Sequence, residues 1–432
     1  MLYKTLTKVK AALASCRGCF RQLGKRRGPQ LFVCLTILLC SCSKDDNNDV
    51  QPIAKKAIVV FMPWSGTETS SGLYNYLLQN LKSIENSITI QKGLGSTQLF
   101  VALSNSHTET RLYEVTYGNK GIVHNTIAQY NTSACISASG ITGMLNDVKK
   151  HTKATTFAMI IGSHGCGWTA IDDWQRYPYN AKPWRNMTGK QQPHTNYPLT
   201  RFIGSVSAPE YGIDIATLSK GITDAGITMQ YILLDNCYMA NIETAYELRH
   251  ATRHIIASTS EVMSIGMPYS MMWHQLSAVT PDYDAIVSAY HTFYSSYSYP
   301  YGTLSAIDCS ALDELALTMR SINRAYTFDD TLRDSIQILG GFEPTLFYDL
   351  GDYVDKLCPD VLLNQQFDSQ LNKVVSSTKA TARIYSYLYA YSGPKYIPVK
   401  KYSGITTSAP SRNAVATKGL PKTQWHHDTA AE

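Results

Sequence analysis

A thiol and an imidazole held together can cut an acyl bond: the deprotonated sulfur attacks the carbonyl and the imidazole carries the proton to the leaving group. Two apolar runs of this 432-residue chain each end in one of these groups. The run FAMIIG (157–162) leads into His164, which Gly165 and Gly167 follow, and the run YILL (231–234) leads into Asp235, Asn236 and Cys237. A free cysteine is more often a small buried hydrophobe, and a lone histidine more often structural than catalytic. The neighbours favour chemistry: the glycines let a substrate backbone approach closely, and two polar residues directly after an apolar strand are an unusual ending for a core.

The elements that must position this pair can be read from the same patterns. Both runs are continuously apolar rather than alternating, as strands buried on both faces of a parallel sheet are. Such sheets carry their chemistry beyond the carboxyl ends of strands, which predicts that His164 and Cys237 share one crevice. Further strands are expected at 56–62, 98–103, 253–258 and 303–308, and a hairpin at 112–117 with 121–124. Helical spacing marks 72–84, 141–151, 213–225 and 241–251, so β and α alternate, and that order argues for a parallel sheet covered by helices. Between 169 and 200 lies a polar, aromatic, proline-rich stretch without period, of the kind that is functional or disordered. After residue 308 come two helical patterns, 311–326 and 350–357, then alternating Tyr385, Tyr387, Tyr389 and Tyr391, which read as a packed sheet face. His426 and His427 stand in a polar tail without metal-ligand spacing and are read as solvated.

The His-Gly pair after one apolar strand and Asp-x-Cys after the next resemble the clostripain family of cysteine endopeptidases, relatives of caspases, legumain and gingipains. The stretches LTRFIGS, YGIDIATLSKGI, ETAYELR, IIASTSEVMSIGMPY and TLSAIDCSALDEL are similar to the same family and stand in its order, so the resemblance runs from about 56 to 308 and more thinly to 425. The chain departs from the pattern at Asn236 and Tyr238, where small or aliphatic residues are usual, and in its insert after Trp168. The resemblance implies a caspase-like α/β/α sandwich with a mostly parallel central sheet over 56–310, and a C-terminal α+β subdomain over 311–432. It also implies that Cys237 is the nucleophile, that His164 protonates the leaving amine, and that the backbone N–H groups of Gly165 and Cys237 form the oxyanion hole.

Asp235 and Cys237 fall two residues apart on an extended segment and project to one side, so Asp235 is expected to line the pocket for a cationic side chain. Family members with an acid there cleave after Arg or Lys, which is the specificity expected here, with Glu261 as a second pocket candidate. The bland alternative for Asp235 is a turn residue accepting backbone N–H bonds. The resemblance further implies a zymogen cut between the His and Cys strands, and Lys182, Arg185 and Lys190 in the long insert are the candidate bonds. Some relatives need calcium, but the sequence holds no EF-hand-type loop and no metal site is assigned.

Residues 1–41 carry eight Lys or Arg, no acid, and an apolar run too short for a permanent span, as a secretory signal peptide does. Leu39-Cys40-Ser41-Cys42 resembles a lipobox, making Cys42 the lipidated N-terminus of a tether over 42–55, and SKDDNND after it resembles a surface-export tag of Bacteroidetes-type lipoproteins. A merely acidic linker fits the same residues. Localisation at the outer membrane or cell surface of a Gram-negative bacterium follows from that resemblance. Losing eight of 39 basic residues leaves 31 against 33 acidic, a charge of −2, so the formal +6 of the whole chain is no argument for nucleic acid. The six remaining cysteines, 42, 135, 166, 237, 309 and 358, lack the even, close spacing of a disulfide framework. Protein or peptide substrates and a lipid-anchored membrane contact are the expected partners. The competing classes are a catalytically silent binding lipoprotein on the same fold and a related peptidase of non-basic specificity.

Overall fold

Strand β1, Lys56–Met62, is buried at every position because it lies inside a sheet covered on both faces. Its residues sort by alternation: Ala57, Val59 and Phe61 enter one hydrophobic core, and Ile58, Val60 and Met62 enter the other. The computed structural model describes residues 54–66, 72–175, 203–205, 209–298, 300–386 and 396–431, which lie within one unit, Ile53–Glu432. The leader and Cys42, the bonds after Lys182, Arg185 and Lys190, and Tyr387, Tyr389 and Tyr391 lie outside the described residues.

Among the described residues the central sheet has nine strands in the order β10-β8-β7-β6-β5-β1-β2-β3-β4. The inner five are β2 (Thr97–Ser104), β1, β5 (Thr156–Gly162), β6 (Ile232–Asp235) and β7 (His254–Ala257), and all of them run parallel. The edges are antiparallel: β3 (Thr110–Gly118) and β4 (Gly121–Tyr130) on one side, β8 (Thr303–Asp308) and β10 (Val375–Ala380) on the other, while the short β9 (Tyr348–Asp349) pairs with Thr406–Thr407 outside this sheet.

The reversal at β8 has a mechanical cause in two helices that the sequence patterns did not mark, Tyr269–Ser277 and Tyr283–Ser295. One helix after a strand returns the chain for a parallel partner; two bring it back pointing the other way. The first descends until the carbonyls of Leu276 and Ala278 meet Lys56 Nζ, at 2.7 and 2.8 Å, where β1 begins. The second climbs until Tyr294 donates to the Gly266 carbonyl at 2.6 Å, near the far end of the strands.

The two faces carry distinct helices. Tyr74–Gln91 packs with that pair on one face, through Leu77, Ile84, Trp273 and Tyr290. On the other lie Ala138–Lys150, Ile215–Asp224, Ile242–Leu248, Leu312–Ala325 and Val361–Val374, with Met144, Leu218, Ala245, Leu315 and Phe367 in the core. Segment 311–432 is packed on this body and supplies its edge strand β10. The polar tail is folded: Gln424–Thr429 is helical, with Trp425 buried and His426 and His427 exposed. Among the described residues no helix is long and apolar enough to cross a membrane.

Candidate active site

β5 and β6 pair in register with Gly162 opposite Asp235. His164 and Cys237 each follow two residues later, so the sheet presents both at one level, beyond the carboxyl ends of adjacent parallel strands. Both are half-buried.

The two loops are pressed together at Gly165. A Cβ there would come within 2.6 Å of Asn236 Cβ and 2.8 Å of the Cys237 carbonyl oxygen, so only glycine lets the backbones pass. Gly167, at φ +64, is equally closed in: a Cβ added to it would find Asn241 Nδ2, the Phe347 ring and the Tyr238 carbonyl all within 3 Å. These glycines therefore serve contact between the two loops, and not the open substrate approach read from the sequence. The N–H groups of Gly165 and Cys237 have no hydrogen-bond acceptor among the described residues.

The thiol lies against the segment after β7. Val262 N–H donates to Cys237 Sγ at 3.3 Å, and the thiol faces the Val262 carbonyl at 3.6 Å. Burial, reinforced by the Glu261 carboxylate, pushes the Cys237 thiol far above its ordinary range, so the resting sulfur holds its proton. Cys166 is buried close by, and no disulfide joins the two.

Asp235 is 6% exposed. Its Oδ2 accepts from Tyr269 Oη at 2.9 Å, Met267 N–H at 3.2 Å and Asn80 Nδ2 at 3.3 Å, while Oδ1 has no donor among the described residues. Burial raises its carboxyl to about 6, against the opposing pull of the Met267 and Tyr269 donors. The donors come from distant segments and not from the turn after β6, and one oxygen is bound by the protein while the other is not.

Glu261 is turned toward the C-terminal segment. Its Oε1 accepts from Tyr238 Oη at 2.7 Å and Ser386 Oγ at 2.6 Å. Tyr238, at φ +61 and fully buried, stacks on Phe347 at 5.0 Å and leans on Phe342 at 5.2 Å. The sequence reading took Tyr238 only as a departure from a pattern; its partners lie far along the chain, where no local signal points to them.

Among the described residues no three Asp, Glu, His or Cys side chains gather as a cation site.

Residues 193–397 match the family model for the clostripain family, peptidase C11. Among solved structures, the chain is similar to a secreted C11 cysteine protease from Bacteroides thetaiotaomicron, "iotapain", with 36% identity, 87% of this chain and 99% of that chain covered, and a TM-score of 0.77. An inactive zymogen C11 protease from Parabacteroides distasonis is 23% identical over 88% of this chain and 99% of that one, at a TM-score of 0.69, a likeness of fold. No curated protein matches the chain.

Proposed function

The chain belongs to the clostripain family of cysteine endopeptidases, and from that premise we propose that it cuts peptide bonds after Arg or Lys, with Cys237 as nucleophile and His164 as its acid–base partner. The observation that supports this reading is the register of β5 and β6, which sets two residues far apart in sequence at one level beyond adjacent strand ends. The thiol proton passes to the imidazole as the sulfur adds to the scissile carbonyl, and the imidazolium then gives it to the leaving amine. A protonated resting thiol fits a pair that ionises only once substrate has displaced water and the carbonyl is in reach. Gly165 and Cys237 N–H groups, lacking other acceptors, suit the oxyanion that forms in that step. Water then hydrolyses the thioester by the reverse proton route, freeing the sulfur.

Asp235 supports the basic specificity. Its second oxygen takes no donor among the described residues, and a guanidinium or ammonium would pair with it where an apolar side chain would leave it unmatched. Glu261 has a weaker claim to the same pocket, because Tyr238 and Ser386 already hold one of its oxygens.

Secretion, lipidation at Cys42 and activation by a cut at Lys182, Arg185 or Lys190 complete the proposal. Intact mass and N-terminal sequencing of the purified enzyme read all three; one uncut, unlipidated and fully active chain overturns them. The chemistry has a sharper test. Cys237→Ala should abolish turnover and labelling by an irreversible peptide warhead while the melting temperature stays; retained turnover would sink the assignment.

A further inference from the structure

We propose that Asn236 is a positioning residue that sets the distance between the two reacting groups, an inference that rests on reading Cys237 and His164 as the reacting pair. Asn236 immediately precedes Cys237, and Ser163 immediately precedes His164. The Asn236 amide spans the gap between these two neighbours. Its Nδ2 donates to the Ser163 carbonyl at 2.8 Å, to Ser163 Oγ at 2.8 Å and to the His164 carbonyl at 3.2 Å. Two of these three partners are backbone carbonyls, which only accept, so the amide's orientation is fixed by its surroundings.

Ser163 completes the clamp. Its hydroxyl donates to the His164 carbonyl at 2.8 Å and accepts from Gly204 N–H at 3.0 Å as well as from Asn236. Gly204 N–H also reaches the His164 carbonyl, at 3.2 Å. The His164 backbone is thus held from three directions, and one of them is the residue beside the nucleophile.

The arrangement has a cost that a packing role does not explain. Asn236 is 1% exposed and its Oδ1 is buried without a hydrogen-bond partner among the described residues. An orphaned buried acceptor is destabilising, and a small apolar residue at 236 would avoid it. Keeping an amide here is explicable if its donors align the histidine with the sulfur. Displacing a reacting group by about 1 Å costs on the order of a hundredfold in rate.

The experiment compares Asn236→Ala, Ser163→Ala and the double variant with wild type, with His164→Ala as reference. Four quantities are read: melting temperature, kcat, KM, and the pH profile of alkylation by iodoacetamide. Asn236→Ala is expected to lower kcat about ten- to a hundredfold with KM little changed. Its alkylation profile should shift toward that of His164→Ala, because an imidazole out of line no longer takes the thiol proton as the sulfur attacks the reagent. Ser163→Ala should do the same more weakly, and the double variant should fall short of the product of the two. If Asn236→Ala keeps wild-type kcat and profile, or only lowers the melting temperature, the positioning role is overturned. If His164→Ala itself retains turnover, the reading beneath it fails instead. Should Asn236→Ala not fold, Ser163→Ala alone decides: an unchanged alkylation profile there also overturns the proposal.

Discussion

At the scale of single residues, the group with the most to say about specificity is Asp235. Its folded-state carboxyl sits at about 6, above the ordinary value, because burial opposes its charge. The native protein therefore keeps a proton that the unfolded chain gives up, and this group makes stability fall as pH rises from about 4 to 6. On the proposed basic specificity, substrate would reverse the preference, since a cationic side chain pairs with the ionised form. For the free enzyme, kcat/KM for a P1-Arg substrate divided by that for its neutral P1-citrulline analogue should climb through pH about 6 and level off above it. Taking the ratio removes the titration of Cys237 and His164, which both substrates share. Asp235→Asn should flatten the ratio and lower it about ten- to a hundredfold, the loss of a charge-assisted contact. A ratio that is flat with pH in the wild type, or unchanged in the variant, counts against Asp235 as the pocket acid. The placement of Asp235 at a strand end, and of His164 and Cys237 two residues past one, was legible in the sequence because each strand is an unbroken apolar run. Asn236, Ser163 and Tyr238 stand in the same two stretches, yet their work is done by long-range hydrogen bonds that no local pattern encodes.

At the scale of elements, the turn between β6 and the helix Ile242–Leu248 carries strain and is held shut. Tyr238 adopts the left-handed conformation, which costs a non-glycine residue about 1–2 kcal/mol. It is fixed by its N–H to the Ser260 carbonyl at 3.0 Å and by Asn241 Nδ2 on its own carbonyl at 2.7 Å. The same Asn241 caps the helix, its Oδ1 accepting Thr244 N–H at 2.7 Å. Asn241→Ala should therefore lose about 1–2 kcal/mol for the cap and loosen the turn bearing Cys237, so kcat falls together with the denaturation midpoint. A midpoint and kcat equal to wild type would show that the turn needs no such latch. The strands of the inner sheet were legible because burial on both faces writes itself as an unbroken apolar run. The pair Tyr269–Ser277 and Tyr283–Ser295 was not marked, because four of its eight buried side chains are Tyr or Trp and polar residues stand between them, a composition that resembles a loop. With those helices unseen, the antiparallel turn of β8 could not be foreseen either.

At the scale of the whole molecule, the C-terminal segment closes over the helix that follows Cys237. Thr406 N–H bonds the Ala240 carbonyl at 3.0 Å, Trp425 meets Tyr246 edge-on at 5.3 Å, and Tyr246 Oη donates to Asp428 at 2.8 Å. The centre of this junction is Glu243, 1% exposed, whose Oε1 accepts from Thr407 Oγ1 and Ser408 N–H, both at 2.9 Å. Burial raises its carboxyl to about 7, and the donors from Ser408 and Thr407 only partly offset this. The sign follows as for Asp235: between the unfolded value of 4.5 and about 7 the native state holds the extra proton, so stability drains away as pH rises through that window. Above it the full cost of a buried carboxylate is present. Glutamine keeps the accepting oxygen and cannot ionise, so Glu243→Gln should be close to wild type at about pH 5 and gain on it steadily up to about pH 7.5, read as the difference in melting temperature. Subtracting the two proteins cancels every other titrating group. A difference that stays constant across that range would mean that Glu243 is already ionised in the fold, and that the junction holds its charge without cost.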